Sequence, residues 1–145
     1  MATVEEQLTR ILEILEGRPE DLEQSKEIGL LMGALAKAQG SYKKLIPNER
    51  SAQGPYANLE AILFATREAL SKNAIAFLQR TKLLDDGTGA KLIRTYLCHE
   101  SGQFTSSTDR VFPGKTDRES GNTLQTHKRL EALNILGLAP SSCDP

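Results

Sequence analysis

Tryptophan is absent from this 145-residue chain, and phenylalanine and tyrosine together make up only 5% of it. Two cysteines are too few for a disulfide framework, so a reducing compartment is expected. No run approaches the roughly 20 consecutive apolar residues that a membrane span requires, and no membrane partner is expected. The acidic N-terminus has no apolar signal core, which predicts a cytoplasmic protein. Hydrophobic residues still make up 39%, enough for one globular domain.

The net charge of −1 conceals an uneven distribution of charge along the chain. Residues 1–28 hold three basic and eight acidic side chains, a net charge of −5. Residues 29–145 hold the other fifteen bases and eleven acids, a net charge of +4. A mildly basic body suits a phosphate-backbone partner, although many ordinary domains carry a comparable charge.

Apolar periodicity predicts two helices before residue 40. The first is amphipathic, since its apolar residues recur at helical spacing: Val4, Leu8, Ile11, Leu12 and Leu15. The second is expected over residues 19–39, because Pro19 suits the first turn of a helix and Gly40 suits its C-cap. Residues 41–55 are polar and show no period, so a loop is predicted there.

A third helix and three strands are predicted in the middle of the chain. The helix ends near Asn73 and carries a regular apolar row: Leu59, Ile62, Leu63, Thr66 and Leu70. Strand-like runs follow at residues 75–84, 91–99 and 103–108. The short connections between them favour an antiparallel meander.

The last predicted element is a helix over residues 118–136, with Asp117 as its N-cap. Its core row is expected to contain Thr126, Leu130, Leu133 and Gly137. The order of elements predicts an α+β fold, in which N-terminal helices precede a three-stranded antiparallel meander packed by the following helix. The chain divides into three expected parts: an acidic helical arm at residues 1–28, a core at 29–138 and a flexible tail at 139–145.

Motifs for catalysis, nucleotide hydrolysis and metal binding are weak. Residues 87–91 lack the spacing of a phosphate loop and do not open a helix, which favours a hairpin turn. The histidines and cysteines show no zinc-ligand spacing. The aspartates are too scattered to suggest a shared metal site. We therefore expect a protein without enzymatic activity, cofactor or metal.

Basic and aromatic residues remain as candidates for a binding site. Single-strand binders combine a positive groove with aromatic side chains that stack on bases. The candidate DNA-binding residues are Lys43, Lys44, Tyr56, Arg80, Lys82, Arg94, Lys115, Lys128 and Arg129. A solvated basic surface with core tyrosines explains the same residues.

Three stretches, taken together, carry a resemblance. The first is Ala34-Leu35-Ala36-Lys37-Ala38-Gln39 with Tyr56-Ala57-Asn58-Leu59, and the second is Leu97-Cys98-His99-Glu100-Ser101-Gly102. The third is Ser120-Gly121-Asn122-Thr123, followed by the run from Lys128-Arg129 to Gly137-Leu138. In this order and spacing, residues 30–138 resemble the ERF (essential recombination function) family of phage single-strand annealing proteins.

The resemblance implies a β-β-β-α core that assembles into rings or filaments, binds single-stranded DNA and anneals complementary strands in recombination without ATP. It implies a phage or prophage protein in the bacterial cytoplasm, with an exonuclease or a host single-strand binding protein as partner. It matches Lys128-Arg129 to the family's basic pair, Tyr56 to its Tyr-Ala-(Asp/Asn)-Leu motif, and His99 to its histidine before Ser-Gly. The chain departs from the family at Thr126 and Leu130, where an aromatic residue often stands.

The N-terminal apolar row needs a surface to cover it. Leu8, Ile11, Leu12 and Leu15 fit a contact between protomers of a homo-oligomer, and packing on the same domain explains them equally well. The alternative function is a non-enzymatic interaction or scaffold module that uses this amphipathic helix as its docking face.

Overall fold

A computed structural model describes residues 3–8 and 22–138 of the chain. Residues 4–8 are helical. The elements that follow are α1 (Gly29–Gln39), β1 (Glu49–Ser51), β2 (Gly54–Tyr56), α2 (Leu59–Lys72), β3 (Ile75–Leu83), β4 (Lys91–His99), β5 (Phe104–Val111) and α3 (Asp117–Leu136). The predicted α+β fold is confirmed, with a three-stranded antiparallel sheet followed by a helix.

The main sheet has the strand order β3-β4-β5, and each neighbouring pair is antiparallel. The β3–β4 turn forms because Asp86 accepts hydrogen bonds from the backbone N–H (3.1 Å) and hydroxyl (2.5 Å) of Thr88. Gly87 and Gly89 take left-handed φ angles of 79° and 72° in this turn, which glycine adopts most readily. Residues 87–91 therefore lead from a hairpin turn into β4.

The core lies between one face of the main sheet and the three long helices. α1 contributes Leu31, α2 contributes Ile62, and α3 contributes Leu133, all of them buried. Leu97 of β4 is fully buried against them. Burying such side chains stabilises the fold by about 1.5–3 kcal/mol each.

The predicted core row of α3 is only partly right. Leu133 is buried as expected, but Thr126 and Gly137 are exposed and the Leu130 side chain is 43% exposed. Ala132 and Leu136 complete the buried row instead. The first half of α3 therefore extends beyond the apolar core, and one of its sides borders open solvent.

The prediction of a helix over residues 19–39 is wrong for the part from 22 to 28. α1 begins at Gly29, and the preceding segment runs extended beside β5. The Ser25 N–H donates to the Phe104 carbonyl (2.9 Å), and the Ser106 N–H donates to the Glu23 carbonyl (2.7 Å). Pairing with the outer edge of β5 satisfies these backbone groups at long range, which overrides local helix propensity. Residues 9–21 lie outside the described part of the chain.

The predicted loop over residues 41–55 contains a short hairpin. β1 and β2 pair antiparallel, with Arg50 opposite Pro55. The Ser51 hydroxyl stabilises the turn by donating to the Gly54 carbonyl (3.2 Å). Two strands of three residues are too short to show an alternating pattern in the sequence.

The N-cap of α3 is Thr116 rather than the predicted Asp117. The Thr116 hydroxyl oxygen accepts a hydrogen bond from the Glu119 N–H (3.1 Å), whereas Asp117 is the first helical residue. Threonine and aspartate both serve as caps, so composition alone does not decide between neighbouring positions.

We expect Thr116→Ala to lower the free energy of unfolding by about 1 kcal/mol, because it removes the cap. Asp117→Ala is the matched control, and we expect it to lose less, because the carboxylate near the positive end of the helix contributes about 0.3–1 kcal/mol and the higher helix propensity of alanine offsets part of that loss. Urea unfolding of both variants measures the difference. A larger loss for Asp117→Ala than for Thr116→Ala would return the cap to Asp117.

The C-terminal end of α3 is tied to the loop that follows α1. The Tyr42 hydroxyl donates to the Leu136 carbonyl (2.9 Å), and burial raises the pKa of Tyr42 to about 12. Because an unfolded tyrosine titrates near pH ~10, the folded state retains this proton to higher pH. The stability contributed by Tyr42 is therefore complete below pH ~10 and is lost as pH rises towards about 12.

We expect Tyr42→Phe to lower the free energy of unfolding at neutral pH by about 0.5–1.5 kcal/mol, the net value of one hydrogen bond. Tyr42→Phe has no phenol proton to lose at this position. Its free energy of unfolding is therefore expected to fall less at alkaline pH than that of the unsubstituted protein. Urea unfolding at neutral pH and at several alkaline values tests both parts. If the free energy of unfolding falls equally with alkaline pH in the two proteins, groups other than Tyr42 cause the fall.

Candidate nucleic-acid interface

An open groove lies between α2, the first half of α3, and the β1–β2 hairpin with the loop before it. Its volume is about 1920 Å³. Small-molecule sites typically enclose about 300–1,000 Å³, so the groove has room for a segment of polymer.

The groove carries more positive than negative side chains. Its five bases come from three separate parts of the chain: Lys43 and Lys44 from the loop before β1, Arg67 and Lys72 from α2, and Arg129 from α3. Its three acids are Glu49, Glu60 and Glu68. The surplus of cations makes the groove suitable for a polyanion.

Tyr56 and Arg129 meet in this groove. The Arg129 guanidinium carbon lies 5.1 Å from the centroid of the Tyr56 ring, a cation–π contact. The Tyr56 hydroxyl donates to a Glu49 carboxylate oxygen (2.9 Å), and this hydrogen bond is the main reason that the pKa of Tyr56 is raised. Tyr56 and Arg129 are thus brought into contact, although 73 residues separate these two positions.

The remaining residues of the Tyr-Ala-Asn-Leu stretch position Tyr56. Asn58 is the N-cap of α2, and its side-chain oxygen accepts from the Ala61 N–H (3.0 Å). The same oxygen accepts from Asn48 Nδ2 (2.9 Å), and the Asn58 N–H donates to Asn48 Oδ1 (2.9 Å). Ala57 is buried in the core. Tyr56 is therefore positioned as the last residue of a hairpin that is fixed to the N-cap of α2.

A second cation–aromatic contact lies elsewhere along the groove. Lys43 Nζ is 4.9 Å from the centroid of the Phe64 ring, whose residue is 70% exposed. Glu68 forms ion pairs with Lys43 (3.1 Å) and Lys72 (3.0 Å). The hydrogen bonds from Lys72 and then Lys43 lower the pKa of Glu68. An incoming phosphate would compete with Glu68 for both lysines.

Of the predicted DNA-binding residues, Lys43, Lys44, Tyr56 and Arg129 line this groove. Lys128 lies outside its lining, in which this part of α3 is represented by Gln125, Thr126, Arg129 and Leu130. The Lys128 carbonyl accepts a hydrogen bond from Gln79 on the sheet (2.9 Å), so this part of α3 packs against β3. The structure separates the two members of the predicted basic pair.

Arg80, Lys82 and Arg94 lie on the opposite face of the main sheet. Gln79 contacts α3, and strand residues alternate between faces, so Arg80 and Lys82 point away from the helices. Arg94 is paired with Arg80 in the register and shares that face. The Arg94 guanidinium donates to the Leu22 carbonyl (2.5 Å) and lies 5.6 Å from the Tyr96 ring.

Lys115 and His99 are also outside the groove lining. Lys115 is exposed in the loop between β5 and α3, where its backbone N–H donates to Glu119 (2.8 Å). His99 is the last residue of β4, with its Nδ1 2.8 Å from the hydroxyl of Ser101 in the β4–β5 turn. This turn places Gln103, whose side chain accepts from the Leu31 N–H in the first turn of α1 (3.0 Å). The His-Glu-Ser-Gly stretch therefore has a structural role.

Sequence reasoning missed three groove residues on α2: Phe64, Arg67 and Lys72. The available signal was an aromatic residue on the polar side of an amphipathic helix, followed by bases at helical spacing. Thr126 and Leu130 of α3 line the same groove, and neither is aromatic. The exposed phenylalanine of the groove comes from α2 instead.

The predicted oligomer contacts lie at the limit of the described residues. Leu8 is 55% exposed, whereas Ile11, Leu12, Leu15 and the tail at 139–145 lie outside the described residues. In residues 3–8 and 22–138, no helix is long and apolar enough to cross a membrane. The same residues include no cluster of three or more histidine, cysteine and acidic side chains that could hold a metal ion.

Comparison of the chain with protein-family models, with curated proteins and with solved structures finds no match. The resemblance of residues 30–138 to the ERF family therefore stays a prediction from the three stretches of sequence.

Proposed function

We propose that the protein binds single-stranded DNA in this groove and anneals complementary strands without ATP, as a recombination protein of the ERF type. The contact between Tyr56 and Arg129 carries the proposal. It joins two stretches that resemble the family within one groove whose lining carries five bases and three acids. The non-enzymatic character of the protein is part of the same proposal.

Annealing requires that the phosphates are held while the pairing edges of the bases stay accessible. Lysine and arginine side chains hold a backbone in this way, and each phosphate contact displaces condensed counterions. For single strands each contact contributes about 0.7 to the slope of log affinity against log salt. Five cations therefore give a slope no steeper than about −3.5 for one protomer.

A homo-oligomer in a ring or filament extends this mechanism. Adjacent grooves would bind successive segments of one strand, so that the second segment binds at a high effective concentration. The acidic arm at residues 1–28 and the basic body offer complementary charge for contacts between protomers. Assembly, the partner exonuclease or host single-strand binding protein, and the cytoplasmic location belong to the proposal.

Glu68→Gln is expected to raise the affinity for an oligothymidine and to steepen its salt dependence. The substitution removes the carboxylate that pairs with Lys43 and Lys72 and leaves both ammonium groups to the phosphates. Two additional contacts would add up to about 1.4 to the slope. Glu100→Gln, an exposed carboxylate in the β4–β5 turn, is the matched control for the change in net charge. Equal effects of the two variants would place the bound strand elsewhere.

Binding of a fluorescent oligothymidine, measured by anisotropy between about 50 and 200 mM salt, tests the proposed function. We expect binding that weakens steeply with salt and needs neither ATP nor metal. Absence of binding at the low-salt end would contradict the proposal. That result would favour the alternative function, an interaction module, for which the exposure of Val4 (72%) and Leu8 (55%) is the structural argument.

A further inference from the structure

Phe64 presents an aromatic ring to the solvent inside the groove. The residue is 70% exposed, although α2 buries Ile62, Ala65 and Leu70 on its other side. Because so little of the ring is removed from water, Phe64 contributes little to the stability of the fold. Single exposed apolar residues are common, but this ring lies in a groove that also carries cations.

The surroundings of the ring fit a nucleotide. Lys43 lies against the ring at 4.9 Å, and Arg67 follows on the same side of α2, so cations for a phosphate lie close to a surface for a base. Ile46 (66% exposed) and Leu130 (43% exposed) add apolar surface to the same lining. A simple polyanion site needs only the cations. The exposed aromatic and aliphatic side chains indicate a ligand that also has flat apolar faces.

We propose that Phe64 is a stacking platform for one unpaired base, and that this contact makes the groove selective for single strands over duplex DNA. The inference rests on the proposed function and deepens it. Bases in a duplex are already stacked on one another, so their faces are not accessible to a protein side chain. Stacking on Phe64 uses the face of a base and leaves its pairing edge open, which is compatible with annealing. It is also tolerant of sequence, since every base has a π-face.

The test compares binding of an oligothymidine and of an abasic oligonucleotide of the same length to the full-length protein. Phe64→Ala is expected to weaken oligothymidine binding roughly 5- to 150-fold and to leave abasic binding unchanged. Phe64→Tyr retains the ring and is expected to retain the affinity. Phe112→Ala is the matched control, because Phe112 is 58% exposed and lies 5.5 Å from the Arg110 guanidinium carbon but is outside the groove lining, so oligothymidine binding is expected to be unchanged. A fluorescent base analogue in the strand is expected to be quenched when it stacks on the ring. This quenching should be lost with Phe64→Ala and retained with the other variants.

Two results would overturn the inference while leaving the proposed function intact. The first is an equal loss of oligothymidine and abasic binding in Phe64→Ala. The second is unchanged oligothymidine binding in Phe64→Ala together with a loss in Arg129→Glu. If the unsubstituted protein binds neither oligonucleotide, the proposed function fails and the stacking role fails with it. A urea unfolding midpoint of Phe64→Ala close to that of the unsubstituted protein confirms that the variant used in the comparison is folded.

Discussion

Arg129→Glu should lower the affinity for oligothymidine roughly 25-fold per protomer at about 0.1 M salt. One phosphate contact contributes about 0.7 of a power of ten per decade of salt, which is about fivefold at this concentration. Reversing the charge removes that attraction and replaces it with a repulsion of similar size. The substitution also removes the cation that lies against the Tyr56 ring, 5.1 Å from its centroid.

Lys128→Glu is the matched control, because it makes the same change of charge at the adjacent residue. Lys128 lies outside the groove lining, so only the screened long-range repulsion remains. We expect a loss of less than about threefold, by anisotropy across a salt series. A larger loss for Lys128→Glu than for Arg129→Glu would place the bound strand on the other side of α3.

Leu133→Ala should lower the free energy of unfolding by about 3–5 kcal/mol. Leu133 is 2% exposed and belongs to the core cluster between α3, the sheet and the other helices. Its truncation loses the burial of the removed methyl groups and leaves a cavity in a close-packed core. A single domain is typically stable by only about 5–15 kcal/mol, so this loss is a large part of the total.

Leu130→Ala is the matched control for Leu133→Ala. It makes the same change of helix propensity in the same helix, but at a position that is much less buried. Leu130 is 43% exposed and faces the groove, and we expect a loss below about 1 kcal/mol. Urea unfolding, analysed with one common dependence of the free energy of unfolding on urea concentration, gives the loss of stability for both variants. A loss for Leu130→Ala that equals the loss for Leu133→Ala would show that the predicted core row, which contained both residues, describes the packing of α3 better than the structure does.

The sequence predicted local elements well, because their signals are local. α2 combines an apolar row with the cap Asn58, and the strands β3 and β4 are separated by a glycine-rich turn. The extended run of residues 22–28 was missed because its backbone partners in β5 lie about 80 residues away. No local pattern encodes that pairing.

The candidate site was predicted in part for a related reason. Strand alternation places Arg80 and Lys82 on one face, but it does not say which face the helices cover. The contact between Gln79 and α3 decides this and separates these bases from Arg129. Phe64 was missed because a search for apolar rows passes over an aromatic residue on the polar side of a helix. The groove is formed by segments far apart in sequence, and only the fold brings them together.

Annealing of two complementary fluorescent oligonucleotides, without ATP or metal, tests the central claim most directly. We expect the unsubstituted protein to accelerate annealing, with a rate that falls steeply as salt is raised. Arg129→Glu should lose the acceleration, and Lys128→Glu should retain it. Failure of the unsubstituted protein to accelerate annealing at any salt concentration, or full acceleration by Arg129→Glu, would contradict the account.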